Sequence, residues 1–562
     1  MNKHLRTLSA ALAMVFVLSA AVGCKNKDGE TGIASESAPS FAASTFEEAA
    51  ATPYGRYPEL VTYTLGKMSA DHNSNMPQGD TYENNAYTRY LRNMLNIQNE
   101  DVFEVDDESY DNNIQMAIAD QEIPDVMIVQ DQSVLQLLAR NDMIEDLTQA
   151  YKNCATSRIK AMYSSYGGQV LDSATINGKL MALPGTDIQN GPNLLWLRKD
   201  WMDALNLDEP TTLAEAEDIV RAFIREDPGG NGAGKTVGLV CDTSLTGDPD
   251  RCFQLDVIFS AFGAYPKKWL QDEEGNVYAG STAPEAKQAL AHLHALYKEK
   301  VLDNQFPVRT SSNIRELIVN GQCGSFFGPW WAANDPLMDA YQQNPQAQWQ
   351  PYLIPTSEDG TLTTYTHDGT NKYIVVRKGY EHPEIVVKMI SVLFDYTRYV
   401  DRDAQEINDY FQLNVDPTAR PLAVNVDYQD ALFRTTKSIH QALDGNLTED
   451  ELLNIERSYY DACQTFLQNS TSPTAEAWSA YTSRITAVDL LSDAKLQYVE
   501  NVFNGSTETM SSKGWILEDL ESDAYLQIIC GGKPVDSFDT FVEEWNQRGG
   551  EVITREVAQA IS

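Results

Sequence analysis

The sequence predicts an α/β protein of two lobes, each built on a mainly parallel sheet flanked by helices. Short apolar runs that suit buried strands alternate with segments of helical period. The chain has 562 residues, enough for two substantial cores.

The first residues, MNKHLRTLSAALAMVFVLSAAVGCK, place Lys3, His4 and Arg6 before an apolar run over 8–22. That is the pattern of a signal peptide, residues 1–23, and it is too short for a comfortable membrane span. Its end, AAVGC, resembles the bacterial lipobox, in which small residues precede a lipidated cysteine, so Cys24 is the expected anchor. Ala21 departs from the leucine commonest there, which leaves a soluble secreted product as the alternative. Residues 24–54 are small, polar and almost free of aliphatic side chains, and they read as a flexible tether.

VTYTLG (61–66) follows as a first strand, then a polar loop and a helix from about Asn84 to Leu95. DVMIVQ (125–130) is a second strand, and SVLQLLARN continues as a helix that ends near Asn141. Ligands of open α/β sheets sit beyond the carboxyl ends of the strands, here residues 69–75 and 131–133.

Residues 229–236 read GGNGAGKT and satisfy the phosphate-binding loop pattern G-x-x-x-x-G-K-[ST]. That motif works when a strand delivers the glycines and a helix begins after them, aiming its positive end at the phosphates. Here the order is reversed. TTLAEAEDIVRAFIRED upstream has Leu213, Ala216, Ile219, Val220 and Phe223 at helical spacing behind Thr211 and Thr212, and VGLV downstream suits a buried strand. The loop therefore reads as a helix C-terminus, where glycine supplies left-handed backbone. An exported chain would also meet little ATP.

The stretch TDIQNGPNLLWLRKDWMDALNLDEPTTLAEAEDIVRAFIREDPGGNGAGKTVGLV (186–240) resembles the extracellular solute-binding proteins of ABC importers, the family 1, carbohydrate-binding type, in its lipoprotein form. NMPQGDTYENNAYTRYLRNML, IVNGQCGSFFGPWWAANDPL, NKYIVVRKGYEHPEIVVKMI and YLQIICGGKPVDSFDTFVEEWNQRGGEVITREV are similar to further segments of that family, in the same order. The resemblance implies a periplasmic-binding-protein-like fold of type II, with an N-terminal lobe of 55–187 and about 357–420 and a C-terminal lobe of 188–356 and about 421–562. It also implies a carbohydrate ligand in the cleft between lobes, hinge closure, and delivery to the importer's permease subunits. The glycine loop resembles a calcium site in many relatives. Here Asp227 and Asn231 keep their places, while Gly229 and Lys235 stand where further oxygen ligands belong. A monomer without cofactor is expected, with calcium at that loop as the sole metal candidate.

A pyranose offers an apolar face and a rim of hydroxyls, so its site needs aromatic platforms with amides and carboxylates around them. Trp330 and Trp331 follow the small-residue turn GSFFGP, and since neighbours point opposite ways, at most one faces the ligand. Both are otherwise core, as is Trp196 at the entry to the second lobe. Polar candidates are Asp71, His72, Asn73, Asp131, Gln189, Asn190, His367 and Asp368, each of which equally suits a cap or turn.

A formal charge of −39 argues against nucleic acid and anionic lipid as partners and keeps an exported protein soluble. Beyond Cys24 there are six cysteines with no metal spacing. Cys241 and Cys252 either close a disulfide across a polar loop or serve as small buried hydrophobes. The competing classes are a secreted glycoside hydrolase, since paired carboxylates are all it needs, and a surface lipoprotein that binds a non-sugar solute without transport. The chain carries no GxSxG or HExxH motif, and His292 and His294, two apart on one helix, face different ways.

Overall fold

The computed structural model describes residues 42–70, 74–188, 190–248, 250–366, 369–370, 372–402, 404–413 and 415–561, all within the unit Ser40–Ser562. The first lobe is organised on a five-stranded sheet in the order Ile97–Val105, Val61–Met68, Val126–Val129, Tyr373–Val376, Leu183–Pro184. Val61–Met68 is parallel to both its neighbours. Tyr373–Val376, returning after the chain has built the second lobe, is antiparallel to both of its own. VMIV and YIVV are buried at every position, as continuous apolar strands covered on two faces must be. Asn85 caps Ala86–Leu95 by accepting the amides of Tyr87 and Thr88, and Asp131 caps Gln132–Arg140.

The second lobe centres on Leu194–Arg198, flanked by Ser325–Gly328 and Trp349–Tyr352. Both flanking strands are antiparallel to it, where a mainly parallel sheet was expected. The reason lies at the hinge. Leu194 is the first residue of the strand leaving the first lobe and pairs with Gly328, the last of a strand coming back. VGLV makes single parallel bridges, Val237 to Cys323 and Val240 to Phe326, rather than a full strand.

Three segments cross between the lobes, and their backbones are tied together around Thr186. Thr186 N donates to Asn425 O at 2.7 Å, Asp187 N to Gly369 O at 2.8 Å and Gly185 N to Lys372 O at 2.8 Å. The buried Thr186 hydroxyl accepts the amide of Asp427 at 2.9 Å.

The lobe boundaries differ in three places from those the sequence suggests. Within the expected tether, Phe46–Ala50 is a helix capped by Thr45. Ala49 joins the first core, and buried Lys388 donates to Ala49 O and Thr52 O at 2.6 and 2.7 Å. Leu362–Tyr365, assigned to the first lobe, instead pairs with Leu496–Val499, and Tyr365 packs on Tyr265 and Leu270. Leu422, Val424 and Val426 belong to the first core. Cys241 and Cys252 are both free and lie in different cores, so no disulfide joins them. Among the described residues, no helix is long and apolar enough to cross a membrane.

Candidate functional site

The glycine loop closes on itself. Helix Leu213–Glu226 opens with a Thr212/Glu215 capping box and ends at Asp227, which takes left-handed backbone with φ 48°. The loop amides then wrap a carboxylate rather than a phosphate. Asp227 Oδ1 accepts from Asn231 N at 3.0 Å and Thr236 Oγ1 at 2.5 Å, and Oδ2 accepts from Gly232 N at 2.8 Å. The Thr236 hydroxyl first, then these amides, hold the Asp227 carboxyl below the usual range. Asn231 turns its amide NH2 to Thr236 Oγ1 and Gly321 O at 3.1 and 3.0 Å. A calcium ion wants six to eight oxygens, and a single carboxylate with both oxygens engaged is a poor fit. Among the described residues, no cluster of three or more His, Cys, Asp or Glu side chains is placed to hold a metal.

The lobes face each other across two adjoining cavities of ≈ 990 and ≈ 840 Å³ that share Ser506. The first lobe contributes Asp131 to one, and Gln132, Gln136 and Asp172 to the other. The second lobe contributes Trp269 and helix Glu508–Ile529 to the larger, and Glu500, Asn501 and Asn504 to its neighbour. Gln132 Oε1 is buried with no hydrogen-bond partner. Trp515, on that helix, is 64% exposed and lines the larger cavity. Amides, carboxylates and a free indole face are what a sugar requires.

A smaller cavity of ≈ 220 Å³ lies at the crossing segments, lined from the first lobe by Arg398 and Arg420 and from the second by Trp330, Tyr459 and Arg484. Because Ser325–Gly328 ends at the hinge, Trp330 follows directly beside the crossing segment and donates its Nε1 hydrogen to Asn190 Oδ1 at 3.0 Å. Arg398 spans the crossing, donating to Asp427 Oδ2 at 2.8 Å and Asn425 Oδ1 at 3.0 Å.

The predicted site residues separate accordingly. Trp330 and Asn190 meet at the hinge, and Trp331 is half-buried against the second core. Asp131 lines the larger cavity while its Oδ1 caps its own helix through Ser133 N at 2.6 Å. Trp196 is 0% exposed, its Nε1 hydrogen donated to Gly328 O at 3.2 Å. It is a core side chain on the central strand, not a ligand platform. Asp71, His72, Asn73, Gln189, His367 and Asp368 lie outside the described residues. His292 bonds Glu217 at 2.6 Å and His294 bonds Ile529 O at 3.1 Å, in different directions as expected. Sequence reasoning missed Trp515 and the arginines. The buried stripe of the Trp515 helix runs through Leu517, Glu521, Ala524, Tyr525, Ile528 and Ile529, and at about 100° per residue Trp515 lies about 120° from its centre; with Glu521 inside and Trp515 outside, apolar periodicity gives little sign of it.

Two α/β lobes, three crossing segments and a polar cleft with an aromatic wall define a two-lobed ligand-binding protein of the type II periplasmic-binding-protein-like fold. Residues 73–395, over half of the chain, match the family of bacterial extracellular solute-binding proteins, and the chain belongs to that family. It is 24% identical over 403 residues to the polygalacturonan/rhamnogalacturonan-binding protein YtcQ of Bacillus subtilis (strain 168), covering 69% of this chain and 71% of YtcQ. Lipoprotein LipO of the same organism is 22% identical over 463 residues, covering 81% of this chain and 84% of LipO. The solved structure of the S. pneumoniae ABC-transporter substrate-binding protein FusA in complex with kestose shares the fold, with a TM-score of 0.59 and 14% identity. That alignment covers 89% of this chain and 98% of FusA. YtcQ and FusA are named as binding proteins, and the family is extracellular.

Proposed function

We propose that the protein is the lipid-anchored, substrate-binding subunit of an ABC transporter, held at the outer face of the cell membrane through Cys24. It captures an oligosaccharide in the cleft as a monomer, closes its lobes over it, and presents the closed form to the permease without chemical change. The observation that carries this reading is the interlobe cleft, where hydroxyls and carboxylates line the cavity that exposed Trp515 faces and side-chain amides line the adjoining one. Relatives named for polygalacturonan and kestose binding support a carbohydrate ligand. Asp131, Asn190 and one of Trp330 and Trp331 are proposed ligand contacts, together with Asp71, His72, Asn73, Gln189, His367 and Asp368. Binding shifts the population from open to closed, so affinity reflects contact energy less the cost of closure. No metal or cofactor enters this mechanism.

Thermal unfolding of the purified full-length protein in detergent, screened against mono- and oligosaccharides with ATP as a control, tests it. A saturable rise in midpoint with one sugar class, and no consumption of the sugar, is the expected result. Stabilisation by ATP alone, or hydrolysis of the sugar, would overturn it.

A further inference from the structure

The cavity at the crossing segments is cationic inside a strongly anionic protein. Arg398, Arg420, Arg434 and Arg484 line it against two carboxylates, Asp427 and Glu456, in a chain of net charge −39. Both carboxylates are already engaged, Asp427 by Arg398 at 2.8 Å and Glu456 by the amide of Leu453 at 2.8 Å. Arg434 is paired with Asp430 at 2.6 Å.

Arg484 has no such partner among the described residues. Its guanidinium lies between two rings, 4.3 Å from the centre of Trp330 and 3.8 Å from that of Tyr459. Its Nε is buried without a hydrogen-bond partner. Burial pushes both Arg484 and Arg420 below their ordinary range. Guanidinium groups taken out of water without a counter-ion are unfavourable, and an incoming anion relieves them. Arginine is also the side chain whose planar fork matches a carboxylate.

We propose that this cavity binds the carboxylate of an acidic sugar, a uronate unit of the oligosaccharide, with Arg484 as its charge partner. The inference rests on the carbohydrate reading of the cleft and narrows its substrate class. At ≈ 220 Å³ the cavity is smaller than the roughly 300–1,000 Å³ usual for larger ligands, which suits one ring rather than a whole oligosaccharide. Phe411, Tyr428 and Tyr459 in its wall favour a charge carried on a flat, partly apolar body over an inorganic ion. Both lobes supply the wall, so the bound uronate also links them.

Titration calorimetry of the full-length protein with digalacturonate, dimannuronate and diglucuronate, their methyl esters, neutral disaccharides and inorganic phosphate tests this. The expected result is binding of at least one free acid, weakened at least 10-fold by esterification and weakened further as salt rises. R484Q should lower that affinity about 10- to 100-fold, the loss expected for a charge-assisted bond, while R484K retains part of it. Because salt and ester dependence are read on the unaltered protein, the test survives a variant that fails to fold. Equal binding of acids and esters, or binding of neutral sugars alone, overturns the uronate assignment and leaves the carbohydrate reading standing. Binding of phosphate in place of any sugar overturns both, as does binding of none of these probes.

Discussion

The glycine loop and the hinge cavity both place a charged side chain among small or aromatic neighbours, and they differ in whether the local structure completes it. Asp227 accepts three hydrogen bonds from its own loop, so the loop is a finished piece of backbone. Arg484 has two aromatic faces and no carboxylate, and its Nε is unpartnered. The motif that matches a nucleotide site letter for letter is closed to ligands, while the site with no motif has unfinished chemistry. Buried polar groups without partners are rare enough that each marks a place to look for what completes it.

The largest effect should come from a closed region. Trp196→Ala removes a fully buried indole from the central strand of the second lobe, and should cost about 3–5 kcal/mol of stability, read as a lower unfolding midpoint. Normal stability for this variant would return Trp196 to the cleft and break the contrast. Next, Thr186→Val leaves the Asp427 amide without its hydroxyl acceptor at the hinge. A buried unpaired donor costs about 1–3 kcal/mol, and denaturant unfolding checks it.

Trp515→Ala touches an open region. Its exposed ring leaves stability nearly unchanged, while oligosaccharide affinity should fall about 3- to 10-fold, the worth of one stacked ring. Calorimetry on the folded variant sharpens the comparison, and unchanged affinity would move the ligand away from that wall. The smallest effect belongs to the glycine loop. Millimolar calcium should leave the unfolding midpoint unchanged, whereas Asp227→Asn should lower it without altering sugar affinity. Since the folded Asp227 carboxyl titrates below its usual range, its contribution is present at neutral pH and is lost as pH falls through that lowered value.

Much of this architecture was legible in the residues. The runs at 61–66 and 125–130 became Val61–Met68 and Val126–Val129, and the Thr212 cap opens the predicted helix. Periodicity and capping are local, so sequence displays them directly. The misreadings concern tertiary pairing. LLWLR has no alternation to say which face is covered, and only pairing on both edges seals Trp196. Leu362–Tyr365 finds its partner more than a hundred residues downstream, which no local pattern encodes. Four arginines gathered from 398 to 484 likewise become a cavity only once the lobes are folded.

Small-angle X-ray scattering on the free protein and on the protein saturated with the oligosaccharide that stabilises it most tests capture by lobe closure directly. Closure predicts a smaller radius of gyration in the saturated sample, with the change tracking occupancy. Saturable sugar binding with an unchanged radius would contradict it.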